Sequence, residues 1–367
     1  MTNRSNTGFF IDPDIRQART LPADFYRRPD LFALTLDRIF ARTWQWLGSV
    51  PEFASKKYNI YPRTVLSGSL EEPVLVVQDG SDLKCLSNVC THRANLLVRE
   101  PCKSKTMTCS YHGRCFRLDG TMKSMPGFSE ALEFPSSSDH LKTYPKKQLG
   151  PFLFTALAGS PVLEEVFKPL ENRMNWFDFS SLIWMEELSR SYTLDAHWAL
   201  YCDNFLEGFH IPFVHHKLNQ KLEFQSYQTQ LYPFCNVQLG IASENESHFD
   251  LPADAEDFGK RIYAYYWWIF PNLMINIYTW GVSVNVVLPL GPEKTRIDFI
   301  IFLLPGKETG MFMDTSLHET ELEDEEVVLS VQRGIKSRAY RHGRFSPDLE
   351  KGVHHFHRLV SGALGHS

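Results

Sequence analysis

Asn88-Val-Cys90-Thr-His92-Arg-Ala-Asn95 and Cys109-Ser-Tyr-His112-Gly113 hold a C-x-H pair and a C-x-x-H pair, with residues 93–108 between them. Each pair lies in a short loop-like segment. Two thiolates and two imidazoles suit a structural zinc, which accepts such a set tetrahedrally. They equally suit a two-iron, two-sulfide cluster in which the cysteines hold one iron and the histidines the other. The spacing discriminates, because zinc modules pair Cys with Cys in one knuckle and His with His on a helix. Here each loop carries one of each, so each loop can give one ligand to each iron. The sequence therefore predicts a Rieske-type 2Fe–2S centre at Cys90, His92, Cys109 and His112. Cys85, Cys102 and Cys115 fall outside the pairs and read as small buried apolar residues.

Outward from these loops, residues 48–158 break into short runs such as Tyr58-Asn-Ile-Tyr61 and Glu72-Pro-Val-Leu-Val-Val-Gln78, separated by Gly, Pro and Asp. That pattern predicts a small antiparallel β domain. Ahead of it, Leu31 to Trp46 has helical apolar spacing and predicts one helix leading into the domain. Beyond it, residues 170–204 mix helical and extended segments. Tyr201 to Leu218 predicts a helix bent at Pro212. Ile262 to Leu304 gives three strand-like runs with turns at Pro271-Asn272, Thr279-Trp-Gly281 and Gly291-Pro-Glu-Lys294. Met311 to Arg341 predicts a long helix that is acidic first and basic last, the order the helix dipole favours.

A second constellation lies in Asn204-Phe-Leu-Glu207-Gly-Phe-His210-Ile-Pro-Phe-Val-His215. Residues five apart on an ideal helix diverge, and the bend at Pro212 is expected to bring both imidazoles to one side. Two His with one carboxylate on one face, leaving open positions, is the donor set of a non-heme Fe(II) site that activates O₂. His197 and His216 are expected to pack or face solvent. The carboxylate has to come from elsewhere, and the acidic start of the last helix offers Glu319, Glu321, Glu323, Asp324, Glu325 and Glu326. Composition does not choose among them.

Composition bounds the rest. The 367 residues, 43% of them hydrophobic, can bury two cores. A net charge of −5 without a basic block excludes nucleic acid as the expected partner. The N-terminal Met-Thr-Asn-Arg-Ser-Asn-Thr-Gly-Phe-Phe-Ile-Asp-Pro-Asp14 has no signal-peptide core, and no run of 18 apolar residues occurs. The seven Cys read as thiols or metal ligands, not a disulfide framework. A cytoplasmic protein with no membrane span is expected. No G-x-G-x-x-G follows a strand, so reducing equivalents from NAD(P)H must arrive through another protein.

Together these residues give a resemblance that covers residues 24–360. The chain resembles the α subunit of Rieske non-heme iron oxygenases, the ring-hydroxylating oxygenase superfamily. Within it the chain is similar to the choline, carnitine and glycine-betaine monooxygenases. The likeness rests on both cluster loops, Leu118-Asp-Gly120 and Met125-Pro126. In the second half it rests on Cys202-Asp-Asn-Phe-Leu-Glu-Gly-Phe-His210 with His215, Phe270-Pro-Asn272, Val284-Asn-Val-Val-Leu-Pro-Leu290, and Glu323-Asp324 ahead of Gln332.

The resemblance implies an α+β chain: a Rieske all-β domain (46–160) and a helix-grip catalytic domain (161–367), a curved antiparallel sheet with a long C-terminal helix. An N-terminal helical segment (1–45) would pack on the catalytic domain. It singles out Asp324 as the third iron ligand. It implies that Glu207 bridges a cluster histidine of one subunit to an iron-ligand histidine of the next, that Asn204 lies beside the iron, and that three chains close into a ring. Arg114 and Ser110 depart from the family, where Trp and Pro are common.

The implied activity is that of a terminal oxygenase component fed by a separate reductase or ferredoxin, hydroxylating or oxidatively demethylating a small organic substrate. A quaternary ammonium compound fits best, with an aromatic ring or aromatic acid as the alternative. A Rieske electron carrier without oxygenase chemistry is the reading from another class. Phe209, Phe213, Tyr265, Trp267 and Tyr278 are the expected pocket walls, with Met274, Asn276 and Tyr278 on one face and Ser283 and Asn285 on another.

Overall fold

The computed structural model describes residues 9–365 apart from 55, 81 and 308–310, with the side chains of 311–317 left out. The first residues of the N-terminal stretch read above for a signal peptide lie outside the described residues. The fold comprises two compact units, Trp44–Ala158 and Met1–Thr43 with Gly159–Ser367.

The smaller unit is all antiparallel β. One sheet has the order β1 (Trp44–Ser49), β10 (Phe152–Ala156), β9 (Lys146–Leu149). A second runs β2 (Ile60–Val65), β3 (Glu72–Asp79), β4 (Asp82–Ser87), β8 (Thr143–Tyr144). The third, β5 (Thr106–Thr108), β6 (Cys115–Arg117) and β7 (Met122–Ser124), carries the second cluster loop at its first turn. Val74 to Val77 are all buried, as a central strand covered on both faces must be. Ile60, Leu75, Val77, Leu86, Met107, Phe116 and Leu141 form a core that includes Cys90 and Cys109. Both cysteines are thus anchored from below by packing.

The larger unit is built on a seven-stranded antiparallel sheet. Its order is β11 (Ile183–Leu194), β17 (Lys294–Leu303), β16 (Gly281–Gly291), β15 (Leu273–Tyr278), β14 (Ile262–Ile269), β13 (Cys235–Ile241), β12 (Gln228–Leu231). The region expected to give three strands therefore gives four, β14 to β17, because each of the three turn signals separates two runs. At Thr279-Trp280 the hairpin closes on Gly281, whose φ is +154°; a Cβ there would strike the backbone of Phe302. Helices α1 (Ala23–Arg27), α2 (Pro29–Arg38), α3 (Leu163–Val166) and α4 (Lys168–Arg173) precede the sheet. The helix expected over 31–46 ends at Arg38, and Trp44 and Trp46 are strand residues, the Trp46 ring packing against Phe152 and Phe154.

The N-terminal segment is tied down by Leu21 N–H donating to His357 Nδ1 (3.0 Å) and Arg38 Nη1 donating to the Leu364 carbonyl (2.8 Å). Both partners lie on α9 (Lys351–Gly365), a helix the sequence reading did not separate.

Between β11 and β12 the expected bent helix is instead three pieces: α5 (Trp198–Phe205), α6 (Ile211–Val214) and α7 (His216–Lys221). The break falls at Leu206 to His210, where Gly208 sits against the Tyr227 ring with no room for a Cβ. Pro212 does not bend anything. It occupies the first turn of α6, where its missing N–H has no helical partner to lose. Helix α8 (Met311–Ile335) ends six residues short of Arg341. It packs on α5, which in turn packs on β16.

Candidate active site

The cluster loops are built to one plan. In the first, Cys90 N–H donates to the Asn95 carbonyl (2.9 Å) and the Cys90 carbonyl accepts from Ala94 N–H (3.0 Å). In the second, Cys109 N–H donates to the Arg114 carbonyl (2.8 Å) and its carbonyl accepts from Gly113 N–H (3.0 Å). The closing residue has positive φ in both, +53° at Ala94 and +76° at Gly113. Asn88 clamps the first loop shut, Nδ2 donating to the Val98 carbonyl (2.8 Å) and Oδ1 accepting from Val98 N–H (2.9 Å).

The thiols of Cys90 and Cys109 are buried and within hydrogen-bond reach of each other. The rings of His92 and His112 meet edge to face at 4.8 Å, nearer the surface, with Tyr111 exposed beside them. Sulfur donors below and nitrogen donors above fit a cluster with one iron on each set and do not call for a single tetrahedral ion. Burial pushes the Cys90 thiol up. At Cys109 burial acts the same way, but backbone N–H groups and the Asn95 amide outweigh it and hold the thiol below its usual value. Such donors stabilise a thiolate.

Arg114, the departure from the family, is buried. Its Nη1 donates to Thr91 Oγ1 (2.7 Å) and pairs with Asp139 (3.2 Å), and its guanidinium lies over the rings of Phe128 and Phe134. It ties one cluster loop to the other and to the segment before β8. Cys85 is buried as expected, while Cys102 and Cys115 are half-buried.

In the larger unit His210, His215 and Asp324 converge. Their ligand atoms stand 3.1 Å apart (His210 Nε2 to His215 Nε2), 2.9 Å (His215 Nε2 to Asp324 Oδ1) and 3.5 Å (His210 Nε2 to Asp324 Oδ1). Donors about 2.1 Å from one ion and at right angles to one another lie about 3 Å apart, so this triangle matches one face of an octahedron. Among the described residues it is the one group of three or more such side chains whose ligand atoms all lie within 4.8 Å of one another, as binding a single ion requires.

The other ring nitrogens decide the tautomer. His210 Nδ1 lies 2.7 Å from Glu207 Oε1, and His215 Nδ1 lies 2.7 Å from Glu323 Oε2. Each Nδ1–H donates to a carboxylate, which turns both Nε2 lone pairs toward the centre. Two such lone pairs 3.1 Å apart repel unless positive charge lies between them. Burial disfavours a charged His210, yet Asp324 and Glu207 outweigh it and lift the imidazole to about 10. Asp324 is partly buried, and desolvation raises its carboxyl, but the two imidazoles outweigh that and hold it below the usual range. The field here is made for a cation.

These side chains form one end of a cavity of about 130 Å³, room for a small molecule and far more than one water. Asn204, on the last turn of α5, and Glu207 line it too. Its walls are Tyr201, Tyr227, Tyr263, Tyr266 and Tyr278, with Glu321 on α8. Tyr263 and Tyr266 each meet Tyr278 edge to face, at 6.3 and 6.0 Å. Of the expected wall only Tyr278 is present. Tyr265 and Trp267 project from the opposite face of β14, toward Phe249 and Tyr232, and Phe213 and Phe209 are exposed. Asn276 stands opposite Ser283 and Met274 opposite Asn285 across the β15–β16 hairpin, so the two sets expected on different faces share one. His197 is buried and caps α5 through Nδ1, and His216 is exposed.

Sequence reasoning left Glu323 among six acids; its adjacency to Asp324 was the signal. Four of the five wall tyrosines, all but Tyr278, were missed, since they come from α5, the segment after α7, and β14.

A cysteine–histidine cluster site on a β unit and a two-histidine, one-carboxylate triad under an antiparallel sheet define a class of two-site iron proteins. Residues 43–145 match the Rieske [2Fe-2S] domain and residues 183–365 the ring hydroxylating alpha subunit (catalytic domain). The chain belongs to the Rieske-type ring-hydroxylating oxygenases. Choline monooxygenase, chloroplastic, of Arabidopsis thaliana is 30% identical over 95% of this chain and 84% of its own. The carnitine monooxygenase oxygenase subunit of Escherichia coli K12 is 26% identical over 94% of each. The solved structure of the quaternary ammonium Rieske monooxygenase CntA with L-carnitine superposes with a TM-score of 0.73 at 23% identity, covering 96% of this chain and 97% of that one.

The protein is therefore an O₂-dependent oxygenase that carries a Rieske cluster and a mononuclear iron and is supplied with electrons by a reductase or ferredoxin. Among the described residues no helix is long and apolar enough to cross a membrane.

Proposed function

We propose that this chain monooxygenates a small N-methylated ammonium compound. In this reading His210, His215 and Asp324 hold the catalytic iron, and Cys90, His92, Cys109 and His112 hold the cluster. The observation that carries the substrate class is the wall of five tyrosines with one carboxylate, Glu321, opening on the triad. A quaternary ammonium cannot donate a hydrogen bond, so it is recognised by ring faces and by opposite charge. Burial raises the phenols of Tyr201 and Tyr278, helped by Glu321 among their neighbours, so the rings stay neutral while the carboxylate supplies the charge. The named relatives, which act on choline and carnitine, support the same class.

When bound at these sites, the iron supplies O₂ activation and the cluster supplies electrons singly. The chain's own residues do the rest. Glu207 and Glu323 hold the two imidazoles by Nδ1, and the tyrosines orient the cation. The balance is one C–H bond converted to C–OH, the second oxygen atom leaving as water, with two electrons and two protons supplied.

Glu207 further bridges His210 to a cluster histidine of a neighbouring chain, and three chains close head to tail. The exposed rings of Phe209 and Phe213 beside His210, and of Tyr111 beside His112, support such docking. A reducing compartment, the cytoplasm, suits seven free cysteines.

The test is coupled O₂ uptake by iron-loaded enzyme with a surrogate reductase and NADH. N-methylated ammonium compounds should stimulate uptake in step with hydroxylated product, and Asp324→Ala should abolish it. Coupled turnover of aromatic acids, with ammonium compounds inert, would overturn the substrate class.

A further inference from the structure

Each coupled turnover draws two electrons from the donor protein and two from the C–H bond that is hydroxylated. When O₂ is reduced at the triad with no such bond in reach, the oxidant formed there is two electrons short. The cavity wall holds five phenols able to give them.

One of these phenols has a way out. Tyr278 ends β15 two residues before Trp280, and residues two apart on an extended chain point to the same face. Their rings stack nearly parallel, with 9° between the planes and 4.8 Å between centroids, which is direct π contact. Tyr263 and Tyr266 each meet Tyr278 edge to face, so three of the five wall tyrosines converge on this pair.

Trp280 stands beyond the cavity wall, half-buried at the turn between β15 and β16. An indole that gives up an electron must also give up its N–H proton, which needs an acceptor such as water. The indole N–H groups of Trp176, Trp184, Trp198, Trp267 and Trp268 are buried without a partner, so none of those rings serves as the outlet.

We infer that Tyr278 and Trp280 form an outlet for oxidising equivalents, which moves the damage of unproductive O₂ reduction from the cavity to one indole at the surface. Tyr278 hands an electron and its phenolic proton to the oxidant. It regains an electron from the stacked indole and a proton from water. After two such passages the oxidant has left as water. Trp280 has then released two electrons and two protons and bonded the oxygen of a water molecule, as hydroxytryptophan. The outlet rests on O₂ reduction at His210, His215 and Asp324, whichever substrate the cavity takes.

Peptide mass spectrometry of the iron-loaded enzyme tests this after O₂ uptake with a surrogate reductase and NADH. The runs hold either no organic substrate or tetramethylammonium, each with and without catalase. Per O₂ consumed without hydroxylated product, Trp280 should gain an oxygen atom about tenfold more often than the half-buried Trp46 and Trp184, with catalase making no difference. Tyr278→Phe keeps a ring against the indole but removes the phenol, and should lower that marking about tenfold. Trp280→Phe should shift the added oxygen onto Tyr278 and shorten the enzyme's working life; if it fails to fold, the wild-type map and Tyr278→Phe still decide.

Equal marking of Trp46, Trp184 and Trp280, or marking that catalase prevents, would show diffusing peroxide and overturn the proposal. Unchanged marking in Tyr278→Phe would also overturn it. So would O₂ uptake wholly accounted for by hydroxylated product, since no oxidant is then left to discharge. Marking of Trp280 that persists in Asp324→Ala would instead contradict O₂ reduction at the triad.

Discussion

At the level of single residues, His215 shows how the site is specified. Its ring lies between two successive acids of α8, Glu323 on Nδ1 and Asp324 on Nε2, both within 2.9 Å. Successive residues on a helix point about 100° apart, so one imidazole edge-on to α8 can meet both. Six acids in an eight-residue stretch look alike in sequence, and only the position of His215 separates a ligand from an orienting group and both from solvated neighbours. Asp324 was reached in the sequence through the family register, whereas Glu323 needed the structure.

Orienting carboxylates on metal-bound histidines contribute about 10–100-fold to metal affinity. Glu323→Ala should therefore lose mononuclear iron about ten times more readily in dialysis against a graded chelator, with the cluster's visible spectrum unchanged. Iron retention equal to wild type would show that Glu323 does not set the His215 tautomer. Arg114 was visible in sequence only as a departure; its burial beneath the cluster loops explains how a cation replaces an aromatic ring there, by pairing with Asp139 and lying over Phe128 and Phe134.

At the level of elements, strand patterns and turns were legible, because Gly and Pro punctuation falls where the chain reverses. The helices around the site were not. Apolar spacing over 201–218 reads as one helix, but Glu207 spends its side chain on the N–H and ring of His210, and Gly208 lets Tyr227 press in. Tertiary contact overrides propensity there. Helix α9 was missed although its packing is decisive: Gly352 comes so close to the Leu206 carbonyl that a Cβ would collide with it, which places α9 directly behind Glu207.

Helix α5 is capped by buried His197, and burial drives that imidazole down to about 3. In the unfolded chain it protonates near 6.5, so between those values the unfolded state binds more protons. The stability His197 contributes is complete above about pH 6.5 and is lost as pH falls toward 3. His355 on α9, lowered by burial to about 4, acts with the same sign. Thermal unfolding of the larger unit should shift to lower temperature between pH 7 and pH 5. His197→Asn, which keeps a capping side chain without a titrating one, should flatten that slope while lowering the pH 7 midpoint through lost packing. An unchanged slope would contradict the assignment.

At the level of the whole molecule, the two Cys/His pairs and the His210–His215 pair were legible as spacing, since ligand pairs confined to one segment stay together however the chain folds, whereas Asp324, 109 residues from His215, was reached only through the family register. The cavity was not, because its wall gathers side chains from residues 201 to 324 and depends on strand register. A one-residue slip would turn Asn276 and Ser283 away from it.

The central claim is that this chain carries two iron sites on two units, both required, with electrons passing from the cluster of one chain to the catalytic iron of another. The direct measurement mixes two variants, Cys109→Ala without the cluster and His210→Ala without the catalytic iron, after proven subunit exchange. Each alone should be inactive in coupled O₂ uptake, and the mixture should recover a definite fraction of wild-type turnover, because intact clusters then face intact triads across chain boundaries. Activity in either variant alone would contradict the need for both sites, and a fully exchanged mixture that stays inactive would contradict transfer between chains.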